Sequence, residues 1–309
     1  MATKKQSKQS KQSKQPKQLD INVKEISYRL RDKFVYSKLD IELSGADVNY
    51  VIANTFRRVS YDDIPTYAFE VVEFEHNNMK AFDCDYMRCR LRQLPLYDVE
   101  NDLYYLHPKY WHNVNYYDNT RTKHPSEKLI EGVINVHNNT TEIMPVTTRD
   151  MQYFIDGVKT KYNDPHPDYP MLLAELKPDN TLKCRLKAVL GVGEKDTIWF
   201  GSKLVYYNYE HENPNVVSLT IEGNGQVQEY VLLVKCCRVL KLKLKGIKNE
   251  IERRVDTGEI QKSKTIFFEL VNEDHTMGEL LNYALQSHRG LIFSSVARPD
   301  HLVKLIIFK

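Results

Sequence analysis

Between about Gln226 and Arg254 the apolar residues Tyr230, Leu233, Cys237, Leu240, Leu244, Ile247 and Ile251 step by three or four without interruption. That spacing places them on one stripe of a long α-helix. The stripe is narrow and coiled-coil-like, so the predicted helix needs a partner helix to cover it. Lys235, Lys241, Lys243, Lys245 and Lys248 occupy the other faces and read as solvated charge rather than as a DNA contact.

Upstream, the pattern is mixed. From Leu19 to Leu43 apolar and polar residues alternate, as in Ile21, Val23, then Leu39, Ile41 and Leu43, the period of strands with one buried face. A helix follows, in which Val48, Val51, Ile52, Thr55, Phe56 and Val59 share a stripe; Ser44 and Asp47 cap it and Asp62-Asp63-Ile64-Pro65 stops it. The stretch from about Tyr67 to Asn213 combines short β-rich segments with aromatic, Asn- and Pro-rich loops at Lys109 to Ser126 and Tyr162 to Pro170. It reads as an α+β insertion. Within it, Leu182 to Val189 and Leu204 to Tyr209 are predicted strands on either side of a Gly191-Val192-Gly193 turn; Val217 to Glu222 is another strand before the long helix. A final unit holds a strand at Thr265 to Leu270, a helix at about Met277 to His288 opened by a Thr276 and Glu279 capping box, and strands near Leu291 to Ala297 and Leu302 to Phe308.

With 309 residues and 41% hydrophobic content, the chain can bury two or three compact units. Residues 1–18 repeat Lys-Gln-Ser triplets with no apolar anchor, the composition of a disordered tail. The formal charge of +3 belongs to that tail: without its six lysines, 38 basic residues face 41 acidic ones. The folded body therefore does not require a nucleic-acid face. The tail reads as a solubilising extension, with weak electrostatic contact to nucleic acid or an acidic partner as the alternative. No apolar run approaches the ~20 residues of a membrane helix and the N-terminus lacks an apolar signal core, so an intracellular, soluble protein with no membrane partner is expected.

Candidate chemistry is sparse. Cys84, Cys89, Cys184, Cys236 and Cys237 form no CxxC pair and no even disulfide framework, so reduced thiols without zinc are expected. Asn272-Glu273-Asp274-His275-Thr276 is the densest polar cluster, yet its single His beside two acids lies just before a helix. Carboxylates and short polar side chains there satisfy free N–H groups. Gly191-x-Gly193 and Gly223-x-Gly225 lack the third glycine of a dinucleotide fingerprint, and Asp83-Cys84-Asp85 offers too few carboxylates for two-metal chemistry. The expectation is no catalytic residue, no metal and no cofactor.

Three stretches carry a resemblance. Val51 to Glu70, containing Asn54, Arg57, Arg58, Pro65 and Thr66, is similar to the "AN-x-x-RR… (D/E)-(I/V)-PT-x-A" helix and turn of the large alpha-like subunits of multisubunit RNA polymerases. That family includes bacterial alpha and archaeal D and L; Asp85 to Leu96 resembles its next segment. Leu186 to Phe200, with Gly191, Gly193 and Trp199, resembles "A-x-x-G-x-G-x-x-H-A-K-W", with Asp196-Thr197-Ile198 in place of His-Ala-Lys. Phe268 to Leu281 looks like the "NEDHT-x-G-x-LL" hallmark of the small alpha-like subunit, and Arg298-Pro299-Asp300-His301 loosely resembles its later turn.

The resemblance implies an α+β fold: an alpha-like dimerisation domain (19–67 plus 216–254) interrupted by an insert domain (68–215). A linker (255–264) and a second, small alpha-like dimerisation unit (265–309) follow. It implies a non-catalytic assembly subunit with its two alpha-like halves paired internally. This platform would dock the two large catalytic subunits and small polymerase subunits, touching DNA only through the complex. Asn54, Arg57, Arg58, Pro65, Thr66, Leu233, Leu240, Leu244, Ile247, Asn272, Glu273, Asp274, His275, Thr276, Gly278 and Leu281 are the implied interface residues. Gly191, Gly193 and Trp199 form the implied structural turn. In most members the halves are separate proteins, and their fusion resembles the arrangement in large nucleocytoplasmic DNA viruses, which implies host cytoplasm and virion as locations. The small subunit normally continues into a long C-terminal helix, whereas this sequence ends at Lys309. The long helix is therefore expected to lack its usual intramolecular partner.

Overall fold

The computed structural model describes residues 20–30, 37–97, 99, 101–163, 168–259, 265–300 and 303–309. The expected tail, residues 260–264 of the expected linker and His301 lie outside them. In chain order the elements begin with β1 (Asn22–Arg29), β2 (Lys38–Ser44), α1 (Tyr50–Asp62), β3 (Thr66–Asn77) and α2 (Cys84–Arg92). Next come β4 (Ile130–His137), β5 (Met144–Thr147), β6 (Met151–Ile155), β7 (Val158–Thr160), β8 (Leu172–Leu176), β9 (Thr181–Gly191), β10 (Ser202–Glu210) and β11 (Asn213–Gly223). The chain continues through α3 (Glu229–Asp256), β12 (Phe268–Val271), α4 (His275–Gln286), β13 (Val296–Ala297) and β14 (Leu305–Phe308), completing an α+β architecture.

The first lobe is an antiparallel sheet of order β1-β2-β11-β10 with α1 and α3 on one face. Register pairs Leu43 with Val217, Ile41 with Leu219 and Leu39 with Ile221. The period-two alternation therefore delivers all six side chains to the same face. They pack on Ala53 and Val59 of α1 and on Leu232, Cys236 and Val239 of α3.

Two details of α1 differ from the sequence reading. Its N-cap is Asn49, whose side chain accepts the Ile52 N–H at 3.0 Å. Ser44 still belongs to β2, paired with Asn22 and Val216, and Asp47 instead accepts the Asp20 N–H at 2.8 Å.

The insertion is built on a second sheet of order β3-β9-β4-β6-β7, with the short β5-β8 pair and α2 beside it. Its expected end at residue 215 falls inside the first lobe's sheet. β10 and the first residues of β11 pair there, because Val205 and Val217 are core residues of the first lobe. The polypeptide therefore returns to that lobe at Ser202.

The last lobe is a three-stranded sheet of order β12-β14-β13 covered by α4, with Leu270, Ile306 and Phe308 at its centre. α3 links the two cores: Leu232, Cys236 and Val239 sit in the first, and Ile247, two turns beyond Leu240, packs on the last. The helix continues to Asp256, into the expected linker.

The buried stripe of α3 is rotated from the expected one. Leu232, Lys235, Cys236 and Val239 are buried, whereas Tyr230 and Cys237 are exposed and Leu233, Leu240, Leu244, Ile247 and Ile251 are half-buried. Sheet packing has taken the neighbouring face and left the apolar seam as its flank. Lys235, expected to be solvated, is only 4% exposed and donates to the Asn101 carbonyl.

Candidate interface between the lobes

α1 and α4 pack directly against each other, and their contact is laced with charge. Arg58 stands on α1 one helical turn before its end, and Asp274 is the N-cap of α4. The Arg58 Nη2 donates to Asp274 Oδ2 at 2.8 Å, and Nε donates to the Thr276 hydroxyl oxygen at 2.6 Å. Asp274 Oδ1 meanwhile accepts the Thr276 N–H at 2.8 Å. One carboxylate thus both caps α4 and binds the opposing helix. The expected capping box with Thr276 as cap is replaced: Asp274 takes that place, and the Thr276 hydroxyl faces Arg58 instead.

A second bridge lies beside the first. Lys243 of α3 places its ammonium 2.8 Å from Asp63 Oδ1 and 3.5 Å from Glu273 Oε2, each side chain about one-sixth exposed. A third runs from Lys304, whose Nζ is 2.7 Å from Glu194 Oε1. Backbone bonds hold these groups in register: Glu194 N–H donates to the Asp62 carbonyl at 3.0 Å, and Asn272 N–H to the Lys304 carbonyl at 2.8 Å. Asn272 takes a left-handed conformation with φ 64°, which Asn tolerates better than most side chains and which turns β12 toward α4.

Titration behaviour follows from this crowding. Burial pushes Glu273 above the usual carboxylate range, only partly offset by Lys243. Asp62 is raised by burial, with Arg58 pulling the other way and Asp63, Asp274 and Glu194 adding repulsion. Burial also pushes on Asp274, but the Thr276 N–H, the Thr276 hydroxyl and Arg58 outweigh it and hold the pKa below its ordinary value. Burial lowers Lys243, yet Asp63 and Glu273 more than compensate and the net shift is upward.

The three motif stretches therefore converge. Gly191 and Gly193 are glycines because backbone and indole approach too closely for a Cβ: one at 191 would strike the Trp199 ring and one at 193 the Tyr61 carbonyl oxygen. Trp199 is fully buried, its Nε1 donating to the Val189 carbonyl at 3.1 Å, and Thr66 donates its hydroxyl proton to the Trp199 carbonyl at 2.7 Å. The Pro65 carbonyl accepts from Asn101 Nδ2 at 2.8 Å. This knot fixes the end of α1, and with it Asp62 and Asp63, against Glu194. Gly278 and Leu281 face the last lobe's own core, where Gly278 abuts Val296 and Ile306.

Other expected residues stand apart. Asn54 and Arg57 lie half-buried on another side of α1, with Arg57 Nε donating to Asn54 Oδ1 at 3.0 Å. His275 is exposed at the start of α4, and no group of three or more His, Cys, Asp or Glu among the described residues could hold a metal ion. Leu233 and Leu240 flank the first core, and Ile247 the last.

Asp62, Asp63, Glu194, Lys243 and Lys304 were not expected at this interface. The available signal for Lys243 was its spacing: it continues the line of Lys235, Cys236 and Val239 by one further turn, on the face that folding buries. In the sequence Asp63 marks only a helix stop, a role it also fills as the C-cap of α1.

The arrangement defines an α+β chain whose first and last lobes are bound helix to helix by a network of partly buried ion pairs. A chain of Acanthamoeba polyphaga mimivirus described as a "Putative DNA directed RNA polymerase subunit" is 26% identical to it over 330 aligned residues, spanning 99% of this chain and 89% of its own length. No protein-family model matches the chain.

Proposed function

We propose that this chain is a non-catalytic subunit of a multisubunit DNA-directed RNA polymerase. In this reading a large and a small alpha-like unit are joined in one polypeptide, pair within it, and form the platform on which the catalytic large subunits assemble. The carrying observation is the seating of α4 on α1. Arg58, from the stretch that resembles the large alpha-like subunit, holds Asp274 and Thr276, from the stretch that resembles the small one. Two segments that are separate proteins in most of the family thus meet as partners would. The similarity to the mimivirus chain, which covers nearly the whole sequence, supports membership of a polymerase.

The neighbouring arginines have different tasks. Arg58 is committed to the internal pair, while Asn54 and Arg57, half-buried on another side of α1, are left for a large subunit. Contacts of this permanent kind commonly bury over ~2,000 Å². The complex works inside the cell, and in a viral setting the host cytoplasm and the virion are its places. A single Arg57→Glu substitution tests the docking face. The variant is expected to fold, because the Arg57 side chain bonds only that of Asn54, one turn away, and to lose co-purification with the large subunits. Full recovery of those subunits with a folded Arg57→Glu chain would overturn the assignment of this face.

A further inference from the structure

The first lobe's sheet ends on β10, and the outer edge of that strand is only partly closed. The Val205 N–H donates to the Tyr61 hydroxyl oxygen at 2.6 Å, so Val205 turns its backbone groups away from β11. The register from Val205 to Tyr209 is regular and outward groups recur at every second residue, so Tyr207 and Tyr209 also direct their N–H and carbonyl outward. The Tyr61 hydroxyl donates to the Val205 carbonyl oxygen at 3.5 Å as well, and closes that position as an added strand would. Nothing among the described residues bonds the outward groups of Tyr207 and Tyr209. An open edge of this kind is a template for another strand.

α1 forms a wall along this edge. Tyr50, Asn54, Arg57 and Tyr61 recur at helical spacing and share one stripe of the helix. Both ends of the stripe touch β10: Tyr50 stacks on Tyr209 with ring centroids 5.7 Å apart, and Tyr61 bonds Val205. Asn54 and Arg57 therefore stand between them, at the level of Tyr207, whose ring continues the stack on Tyr209 at 6.4 Å. Arg57 is the one charged residue of the stripe. Its Nε leans back on Asn54 Oδ1, toward Tyr50, and its terminal amino groups have no partner among the described residues. The nearby carboxylates lie beyond the two ends: Asp62 and Asp63 line the junction with Glu194 and Lys243, and Glu210 and Glu212 flank the turn after Tyr209.

We propose that this groove binds an extended segment of a partner protein, which adds a strand beside Tyr207 and Tyr209 and carries an aromatic residue and an acid two positions apart. Open donors and acceptors side by side select a peptide, because a phosphodiester accepts hydrogen bonds but donates none. Side chains of the added strand alternate between the faces of the sheet, so residues two apart, about 6.8 Å along the strand, share the α1 side. One meets the Tyr50 ring and the other meets Arg57. A second copy of the chain is a poorer occupant. It brings only its own Val205, Tyr207 and Tyr209 to that side and leaves Arg57 without a carboxylate. The groove lies on the side of α1 assigned to a large subunit, so the identity of the partner rests on that assignment, whereas the strand site itself does not.

The test uses the full chain with short Thr/Val peptides that carry Phe and Asp two residues apart, in both orders. A counterpart holds them three apart, on opposite faces. Hydrogen exchange follows the Tyr207 and Tyr209 amides, and calorimetry follows affinity. A peptide with the two-residue spacing is expected to protect both amides and to bind at least about tenfold more tightly than its counterpart. Tyr50→Ala is expected to lose about tenfold in affinity and Tyr50→Phe to keep it. Tyr50 is 51% exposed in the first turn of α1, so both variants keep the fold, which circular dichroism checks. Four results would overturn the proposal: no protection at millimolar peptide, equal binding of the two spacings, affinity unchanged in Tyr50→Ala, or protection that rises with chain concentration in the absence of peptide, which assigns the edge to a second copy. Peptide binding by a chain that recovers no polymerase subunit from cells upholds the strand site and removes the polymerase assignment; recovery of those subunits with no peptide protection does the reverse.

Discussion

Lys243 has the least replaceable charge between the lobes. It stands between Asp63 and Glu273 with only about one-sixth of its side chain exposed, so Lys243→Met leaves two carboxylates facing each other with no cation between them. Removing one partner from a fully buried pair costs ~3–5 kcal/mol, and the remaining exposure lowers that here to about 2–3 kcal/mol in urea unfolding. Because its folded pKa is raised, the Lys243 contribution is complete below the unfolded value of about 10.4 and is lost only as pH rises through the folded one, so it is present in full at neutrality. Asp274 has the opposite sign. Its folded pKa is depressed, so its contribution is present above about 3.9 and disappears as pH falls through the folded value. Asp274→Asn keeps a competent cap but loses the charge opposite Arg58. The stability gap between the native chain and this variant is expected to close on acidification below about pH 4; a gap that widens in acid would contradict the pairing.

At the scale of elements, long amphipathic patterns were legible and short or shared ones were not. α1 and α3 announce themselves because apolar residues repeat over several turns, and β9 and β11 because strict alternation extends through them. α2 escaped: only Met87 and Leu91, one turn apart, are buried in its nine residues, too little for a periodic signal. The phase of α3 is ambiguous in the sequence because two apolar stripes share the helix. Tyr230, Cys237 and Leu244 make the longer run, but Leu232, Cys236 and Val239 meet the sheet, a choice set by residues far away in sequence. This distinction can be measured. Leu232→Ala, at a fully buried position, is expected to cost about 2–5 kcal/mol, whereas Cys237→Ala, on the exposed side, should stay within about 0.5 kcal/mol. Equal effects would put the seam, not the rotated stripe, against the core. Of the interface, Asp274, Thr276 and Arg58 were legible through their motifs. Lys243 and Glu194 were not, because a lysine on a helix and a glutamate after a glycine turn carry no sign of burial until the lobes close on them.

Across the whole molecule, α3 spans about 42 Å and reaches both cores, so the first and last lobes share one rigid element as well as the α1-α4 contact. Joining the lobes in one chain makes their association intramolecular and independent of concentration. The insertion is tethered at the same place, through Trp199 and the Gly191-Val192-Gly193 turn, so three regions distant in sequence meet around the end of α1. The proposed platform role, in which one chain gathers others, remains to be tested on the protein in its cell. Affinity purification of the tagged chain from cells in which it is naturally expressed, with mass identification of its companions, tests that role most directly. Two very large polymerase subunits are expected in stoichiometric yield, and their absence from a folded, intact bait would contradict the proposed role.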